Sequence, residues 1–174
     1  MESSKEEILE EVMREHGGEL VRLAFNYVKD NETAKDMVQN TFIKCYENLD
    51  NFRSDSAMKT WLYRITINQC KDYLRSWHYR KVHARSLVGS AFTSLLPSTE
   101  DEVIKESEQE EMKKLIFSLP PKYREVIFLF YYKSFSLGEI SEITDLKINT
   151  IKTRLSRGRQ KLKNLMEEAT IYEG

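Results

Sequence analysis

The side chains best suited to recognition chemistry are concentrated in one stretch near the end of the chain. From Lys147 to Lys163 every charged residue is basic: Lys147, Lys152, Arg154, Arg157, Arg159, Lys161 and Lys163. Guanidinium and ammonium groups bind phosphate oxygens, and Arg also reads guanine through two parallel hydrogen bonds. At 3.6-residue spacing Ile148, Ile151, Leu155, Leu162 and Leu165 gather on one helix face. Thr153, Ser156, Arg157 and Gln160 are left on the opposite face, with Lys152, Arg154, Arg159 and Lys161 at its flanks. Just ahead, Ser136 to Thr144 reads as a short helix closed by a polar break near Asp145, and two helices joined by so short a turn have helix-turn-helix geometry. A major groove admits the second helix, whose first-turn Asn149 or Thr150 can hold a phosphate. A basic run alone would suit any solvated helix. Its coincidence with the turn and with an apolar back face points to DNA.

Catalytic chemistry finds little support. His16, His78 and His83 lack metal-ligand spacing, and there is neither a GxSxG turn nor a glycine loop that could cradle phosphate. Cys45 and Cys70 stand 25 residues apart with no CxxC or Cys/His cluster, the pattern of buried, reduced thiols in a cytoplasmic protein. The acids run together from Glu100 to Glu111 instead of forming isolated pairs. No enzyme, cofactor, metal or small-molecule substrate is therefore expected.

Two more surfaces carry recognition chemistry. In the segment from Thr33 to Leu49, Ala34, Val38, Thr41, Cys45 and Leu49 form an inward stripe, which turns Asp36, Gln39, Asn40, Ile43 and Glu47 outward together. An exposed Ile ringed by acids and amides is either an incidental surface residue or the centre of a protein docking patch. Further on, Phe52, Trp61, Tyr63, Tyr73, Trp77 and Tyr79 interleave with Arg53, Lys59, Arg64, Lys71, Arg75, Arg80, Lys81 and Arg85. Aromatics among cations suit unstacked bases, although the same rings could simply fill a core.

The elements that must position these groups are helices. The composition is 40% hydrophobic and 32% charged with only six Gly and three Pro, and an all-α chain is expected. Helices are predicted over about Ile8–Val28, Thr33–Leu49 with Asn31 as a cap, and Met58–Tyr79 after a loop from Asp50 to Ala57. A second unit starts near Glu108, restarts at Pro121 after Leu119-Pro120, runs through Tyr132 and ends in the helix-turn-helix. Two small helical domains follow, over residues 1–85 and 108–174, joined by a flexible acidic linker over residues 86–107. The formal net charge is −1, so opposite charges are sorted by segment within a nearly neutral chain. Met1–Glu15 is acidic and lacks the apolar core of a signal peptide, and no run reaches membrane-spanning length.

Four motifs in order carry a resemblance: Asp36-Met-Val-Gln-Asn-Thr-Phe42, Phe52-Arg-Ser-Asp-Ser-Ala-Met-Lys-Thr-Trp-Leu-Tyr-Arg-Ile-Thr-Ile-Asn68, Leu119-Pro-Pro-Lys-Tyr-Arg-Glu-Val126, and Thr150-Ile-Lys-Thr-Arg-Leu-Ser-Arg-Gly-Arg159. From about Val12 to Leu165 the chain resembles the extracytoplasmic-function sigma factors. The resemblance implies that Asp36, Gln39, Asn40 and Phe42, with Ile43 beside them, bind the clamp helices of core RNA polymerase. It implies that Asp55, Ser56, Ala57 and Met58 capture a base flipped from the minus-ten element, above Trp61, Arg64, Asn68, Asp72 and Arg75. It further implies that Asn149, Thr150, Lys152, Thr153, Arg157 and Arg159 read the minus-thirty-five element, and that an anti-sigma protein, often membrane-bound, restrains the factor. The chain departs from the family pattern at Asn40, where an acid is usual, at Met58, where Phe is common, at Thr66, where Ala is common, and at Asn149, where Gly often stands. An autonomous helix-turn-helix regulator is the competing reading, but it leaves the Asp36 patch and the Trp61 helix unexplained. Arg157→Ala is expected to weaken use of the upstream element by about 1–3 kcal/mol. Unchanged transcription from a matched promoter would remove Arg157 from the reader.

Overall fold

The computed structural model describes residues 3–52, 57–76 and 108–173, which are helical with no strand among them. The chain divides into two compact units, Met1–Ile104 and Lys105–Gly174. In the first, α1 (Lys5–Val28), α2 (Asn31–Asn48) and α3 (Met58–Arg75) pack all against all, with a 3-10 turn, Leu49–Asn51, after α2. In the second, α4 (Glu108–Ser118) precedes α5 (Pro121–Ile127), which continues through a π turn (Phe128–Tyr132). Then come α6 (Leu137–Thr144) and α7 (Ile148–Glu173).

Local chemistry sets the boundaries. Ser4 and Glu7 make a reciprocal capping box at the start of α1, each side chain accepting the other's backbone N–H at 3.2 and 3.0 Å. Asp30, not Asn31, caps α2. Its carboxylate accepts the Thr33 N–H at 2.8 Å and the Thr33 hydroxyl at 2.6 Å, and these bonds hold its pKa below the ordinary value. An extended Asp30 leaves Asn31 already inside the helix. α3 stops at Arg75, short of the expected Tyr79: Ser76 is extended, and its hydroxyl donates to the Tyr73 carbonyl at 2.6 Å, which replaces the next helical bond.

The first core is built from Val12, Leu20, Leu23 and Ala24 of α1, Ala34, Met37, Val38, Phe42 and Cys45 of α2, and Leu62, Tyr63, Ile67 and Cys70 of α3. Two buried hydroxyls, Thr41 and Thr66, donate to the carbonyls four residues back at 2.9 and 2.8 Å, so neither is left unsatisfied. The second core joins Ile116, Leu119, Tyr123, Val126, Ile127, Leu129, Phe135, Ile140, Ile143, Ile151 and Leu155. Buried Arg124 reaches back from α5 to donate to the Phe117 carbonyl at 2.9 Å, in the last turn of α4.

Two glycines inside helices make a comparison. A Cβ at Gly18 would meet nothing within 4 Å, whereas one at Gly158 would stand 3.0 Å from Ile127 Cδ1 and 3.2 Å from its Cγ1. Gly158→Ala therefore forces the buried Ile127 to move, while Gly18→Ala only relieves backbone entropy in a helix. The first should lower stability by about 1–3 kcal/mol and the second raise it by about 0.5–1 kcal/mol. Urea titration of the two variants checks both signs.

Candidate protein-docking and nucleic-acid interfaces

On α2 the outward set is as expected: Asp36, Gln39, Asn40 and Glu47 are exposed, and Ile43 is 51% exposed. Phe42, which the resemblance groups with the clamp-binding residues, does not share that exposed face. Only 7% exposed, it belongs to the core, and its ring packs toward Gly17 of α1, lying in the floor of a groove. The physical reason is that α2 buries a stripe wider than a four-residue repeat, with Met37 and Phe42 beside Val38 and Thr41, because it touches both α1 and α3. The groove measures about 910 Å³ and is apolar below, with Leu9, Met13 and Val21 from α1 facing Val38, Phe42 and Ile43. Lys35, Asp36, Gln39 and Glu47 also line it. Asn40 is absent from this lining. Leu9 and Met13 escaped the sequence reading, although Leu9, Met13 and Val21 repeat at multiples of four beside the buried stripe, which was their signal.

At one end of α1 the Lys5 ammonium meets Asp50 at 2.8 Å and lies over the Tyr46 ring, while the Tyr46 hydroxyl donates to Glu6 at 2.8 Å. The Asp50 hydrogen bond raises the Lys5 pKa, and the Tyr46 hydrogen bond lowers that of Glu6.

On α3, Arg64, Asn68, Asp72 and Arg75 are exposed at helical spacing, which places them in one row. Trp61 and Met58 are half-buried at the head of the row, and the Trp61 ring leans on Phe52 with centroids 4.7 Å apart. Asp55 and Ser56 lie outside the described residues, as do Arg53, Trp77, Tyr79, Arg80, Lys81 and Arg85. Tyr63 is not available to a base: it is fully buried and its hydroxyl donates to Glu19 of α1. Lys59 pairs with the same carboxylate at 3.3 Å. Of the described members of the aromatic-cation pattern, Tyr63 is thus internal structure, while Arg64 and Arg75 remain outward in the row.

In the second unit Ser136 and Glu139 form another capping box at the start of α6. Asp145 closes α6 in the left-handed region at φ 60°, a conformation that Asp tolerates better than most residues, and its N–H donates to Ser141. The Ser141 hydroxyl then donates to the Leu146 carbonyl at 2.6 Å, tying the turn. Along α7, Ile151 and Leu155 are buried and Thr153, Ser156, Arg157 and Gln160 are exposed, as the periodicity indicated. Ile148 is the exception. Expected on the packed face, it is 44% exposed, because it opens the helix ahead of the surface that α5 and α6 cover.

The six predicted readers do not form one cluster. Asn149, Thr150, Thr153 and Arg157 meet in a polar hollow of about 400 Å³, joined by Arg154 and by Lys122 and Tyr123 of α5. Lys152 is exposed, and Arg159 belongs to a different surface. Its guanidinium donates to the Tyr131 hydroxyl at 2.8 Å, and it lines a second groove with Met112, Leu162 and Met166. Lys122 stands in the Leu119–Val126 motif, but its place beside α7 was not legible in sequence, since only the fold brings it there.

A short-looped pair of helices with a basic outward face defines the second unit as a helix-turn-helix of the DNA-binding kind, accompanied by a separate helical unit. Residues 12–79 match the family described as Sigma-70 region 2, and residues 109–162 match Sigma-70, region 4. Over 156 residues the chain is 31% identical to the ECF RNA polymerase sigma factor SigW of Bacillus subtilis, covering 86% of this chain and 83% of that one. It is 32% identical over 152 residues to the ECF RNA polymerase sigma-E factor of Escherichia coli, covering 83% and 79%. Among solved structures, CnrH in complex with the cytosolic domain of CnrY aligns with a TM-score of 0.63 at 24% identity, over 92% of this chain and 88% of that one. RpoE in complex with the anti-sigma factor NepR from Bartonella quintana aligns equally well, at 0.63 and 24%, over 91% and 96%. These two share the fold. The chain belongs to the sigma-70 family of RNA polymerase sigma factors, in its extracytoplasmic-function group.

Three buried ionisable groups, Cys45, Cys70 and Tyr63, have raised proton affinities, that of Cys45 through burial. Burial pushes the Cys70 thiol up to about 12, and burial together with the Glu19 bond pushes the Tyr63 phenol upward from its usual 10.0. Both hold their protons in the folded chain where the unfolded chain, with values of 9.0 and 10.0, has begun to release them. Their contribution to stability is therefore complete below about pH 8, where the unfolded chain also keeps both protons, and declines as pH rises through the unfolded values. The urea midpoint is expected to fall between about pH 8 and about pH 10.5. The double variant Tyr63→Phe, Cys70→Ala should fall less steeply, and an equal slope would show that other groups control the alkaline limit.

Proposed function

We propose that this chain binds core RNA polymerase through the first unit and directs it to promoters whose two elements are recognised separately. The observation that carries this reading is the presence, in one chain, of both sigma units, each with an outward recognition face. The Asp36, Gln39, Asn40 and Ile43 face of α2, above the floor made by Phe42, receives a helix of the polymerase clamp. Asp55 and Ser56, with Met58 at the start of α3, take a base flipped from the minus-ten element, together with the row of Trp61, Arg64, Asn68, Asp72 and Arg75. Flipping costs a few kcal/mol of stacking, which an enclosed pocket with cationic and aromatic support can offset. α7 carries Asn149, Thr150, Lys152, Thr153, Arg157 and Arg159 to the minus-thirty-five element.

Residues 86–107 act as the acidic linker between the two units, and a chain near electrical neutrality avoids capture by unrelated phosphate backbones. The factor works by binding, without catalysis or cofactor, in the cytoplasm. It is restrained by an anti-sigma protein, often membrane-bound in this group, until an envelope or stress signal releases it. Among the described residues no helix is long and apolar enough to cross a membrane. An autonomous helix-turn-helix regulator would need only the second unit and would leave the α1–α2 groove without a role.

The test combines purified protein, core RNA polymerase and a genomic DNA library. Discrete start sites requiring both components are expected. Ile43→Glu should weaken core binding tenfold or more, as burial of one Ile is worth about 1.5–3 kcal/mol. Failure to bind core, with tight palindromic DNA binding by the protein alone, would establish the regulator instead.

A further inference from the structure

The first two turns of α1 lie outside the core. Along that helix the first buried side chain is Val12, and none of residues 5–11 is buried. Helix ends without buried contacts fray unless something ties them down. Yet these turns carry part of a recognition surface, because Leu9 belongs with Met13 to the α1 wall of the groove that α2 completes. Lys5, Leu9 and Met13 stand four residues apart, in one row on a single face of α1. Whatever holds Lys5 therefore fixes the direction in which that row points.

The Lys5 ammonium meets the Asp50 carboxylate at 2.8 Å and lies 4.8 Å from the centroid of the Tyr46 ring, which itself lines the groove. One residue further on, Glu6 accepts the Tyr46 hydroxyl at 2.8 Å. Contacts from successive residues pin the rotation of a helix as one alone would not. With 26% of its side chain exposed, Lys5 is folded down against α2 instead of reaching into solvent. A cation in the first turn opposes the helix dipole, and Asp50, from the 3-10 turn that follows α2, offsets that cost. We propose that Lys5 and Asp50, with the Tyr46 ring as their platform, form a latch that holds Leu9 and Met13 in place as one wall of the groove, and that both are positioning residues for docking of core RNA polymerase. The latch rests on the reading of that groove as the polymerase-docking surface. The partner helix meets the apolar wall, and the latch sets the fraction of chains in which the wall is formed before the partner arrives. Apparent affinity falls in proportion to that fraction.

The experiment measures the dissociation constant of the full chain for core RNA polymerase, with the urea midpoint of each variant beside it. Lys5→Met keeps the reach of the side chain and removes its charge, and Asp50→Asn removes the opposite charge. Each should weaken binding about two- to fivefold with the urea midpoint unchanged, and the two together no more than either alone, because both break one pair. The exchange Lys5→Asp with Asp50→Lys should recover affinity. A background of Leu9→Ala and Met13→Ala separates positioning from contact: Lys5→Met added to it should cost little more, since the wall it positions is already cut back. Wild-type affinity in both Lys5→Met and Asp50→Asn overturns the latch and leaves the sigma-factor reading intact. A loss in Lys5→Met that is absent from Asp50→Asn, and that adds fully to the loss in the alanine background, overturns it as well by making Lys5 a direct polymerase contact. A urea midpoint that falls in step with affinity overturns the positioning role in favour of general stability. If the wild-type chain does not bind core at all, the sigma-factor reading falls and the latch with it.

Discussion

Helix α7 lies so close to α5 at Gly158 that a single added carbon would stand 3.0 Å from Ile127 Cδ1. The recognition helix depends on this contact for its position. With Ile151 and Leu155 buried and Gly158 against Tyr123 and Ile127, α7 can take only one rotation about its own axis. That rotation turns Thr153, Ser156, Arg157 and Gln160 outward and brings Asn149 and Thr150 beside Lys122. Because packed interiors are dense, a helix held in this way moves as a body with its neighbours, so side chains for DNA are preorganised by apolar contacts on the opposite face.

The first unit meets the same demand by different means. Its three helices leave no buried polar side chain unsatisfied among the described residues, since the hydroxyls of Thr41 and Thr66 bond within their own helices and Tyr63 bonds across to Glu19. A rigid bundle of this kind can expose Ile43 and Met13 above an apolar groove without collapsing onto them. Exposed apolar side chains around a concave surface, rimmed by acid and amide groups, have the anatomy of a docking site, in which a small apolar centre supplies affinity and the polar rim supplies register.

Charge follows the same division of labour. A chain with net charge −1 nevertheless carries a run of purely basic residues in α7, and the acids of the Glu100–Glu111 segment balance it elsewhere in sequence. Long-range attraction to DNA is therefore weak, while close contact with a phosphate remains strong, because screening removes the distant term and spares the near one. Discrimination among promoters then rests on short-range contacts at a docked helix.

The order of helices, the break at Asp145, the outward face of α2 and the buried thiols were all legible in sequence, because each follows from periodicity or from a residue's own backbone preference over a few positions. Both capping boxes are equally local. The cap at Asp30, the end of α3 at Ser76 and the exposure of Ile148 were missed by one turn or less, since competing local bonds at a helix end differ little in energy. What only the tertiary structure decided was which residues from distant segments share a surface. Phe42 lies buried in the floor of the groove, near Gly17 of α1; Tyr63 is core, with its hydroxyl bonded to Glu19 of α1. Arg159 was drawn to Tyr131 and away from the other readers, and Lys122 was brought to them from α5. Periodicity assigns a residue to a side of its own helix, but it carries no information about which other helix lies there, and that is set by packing between segments far apart in the chain.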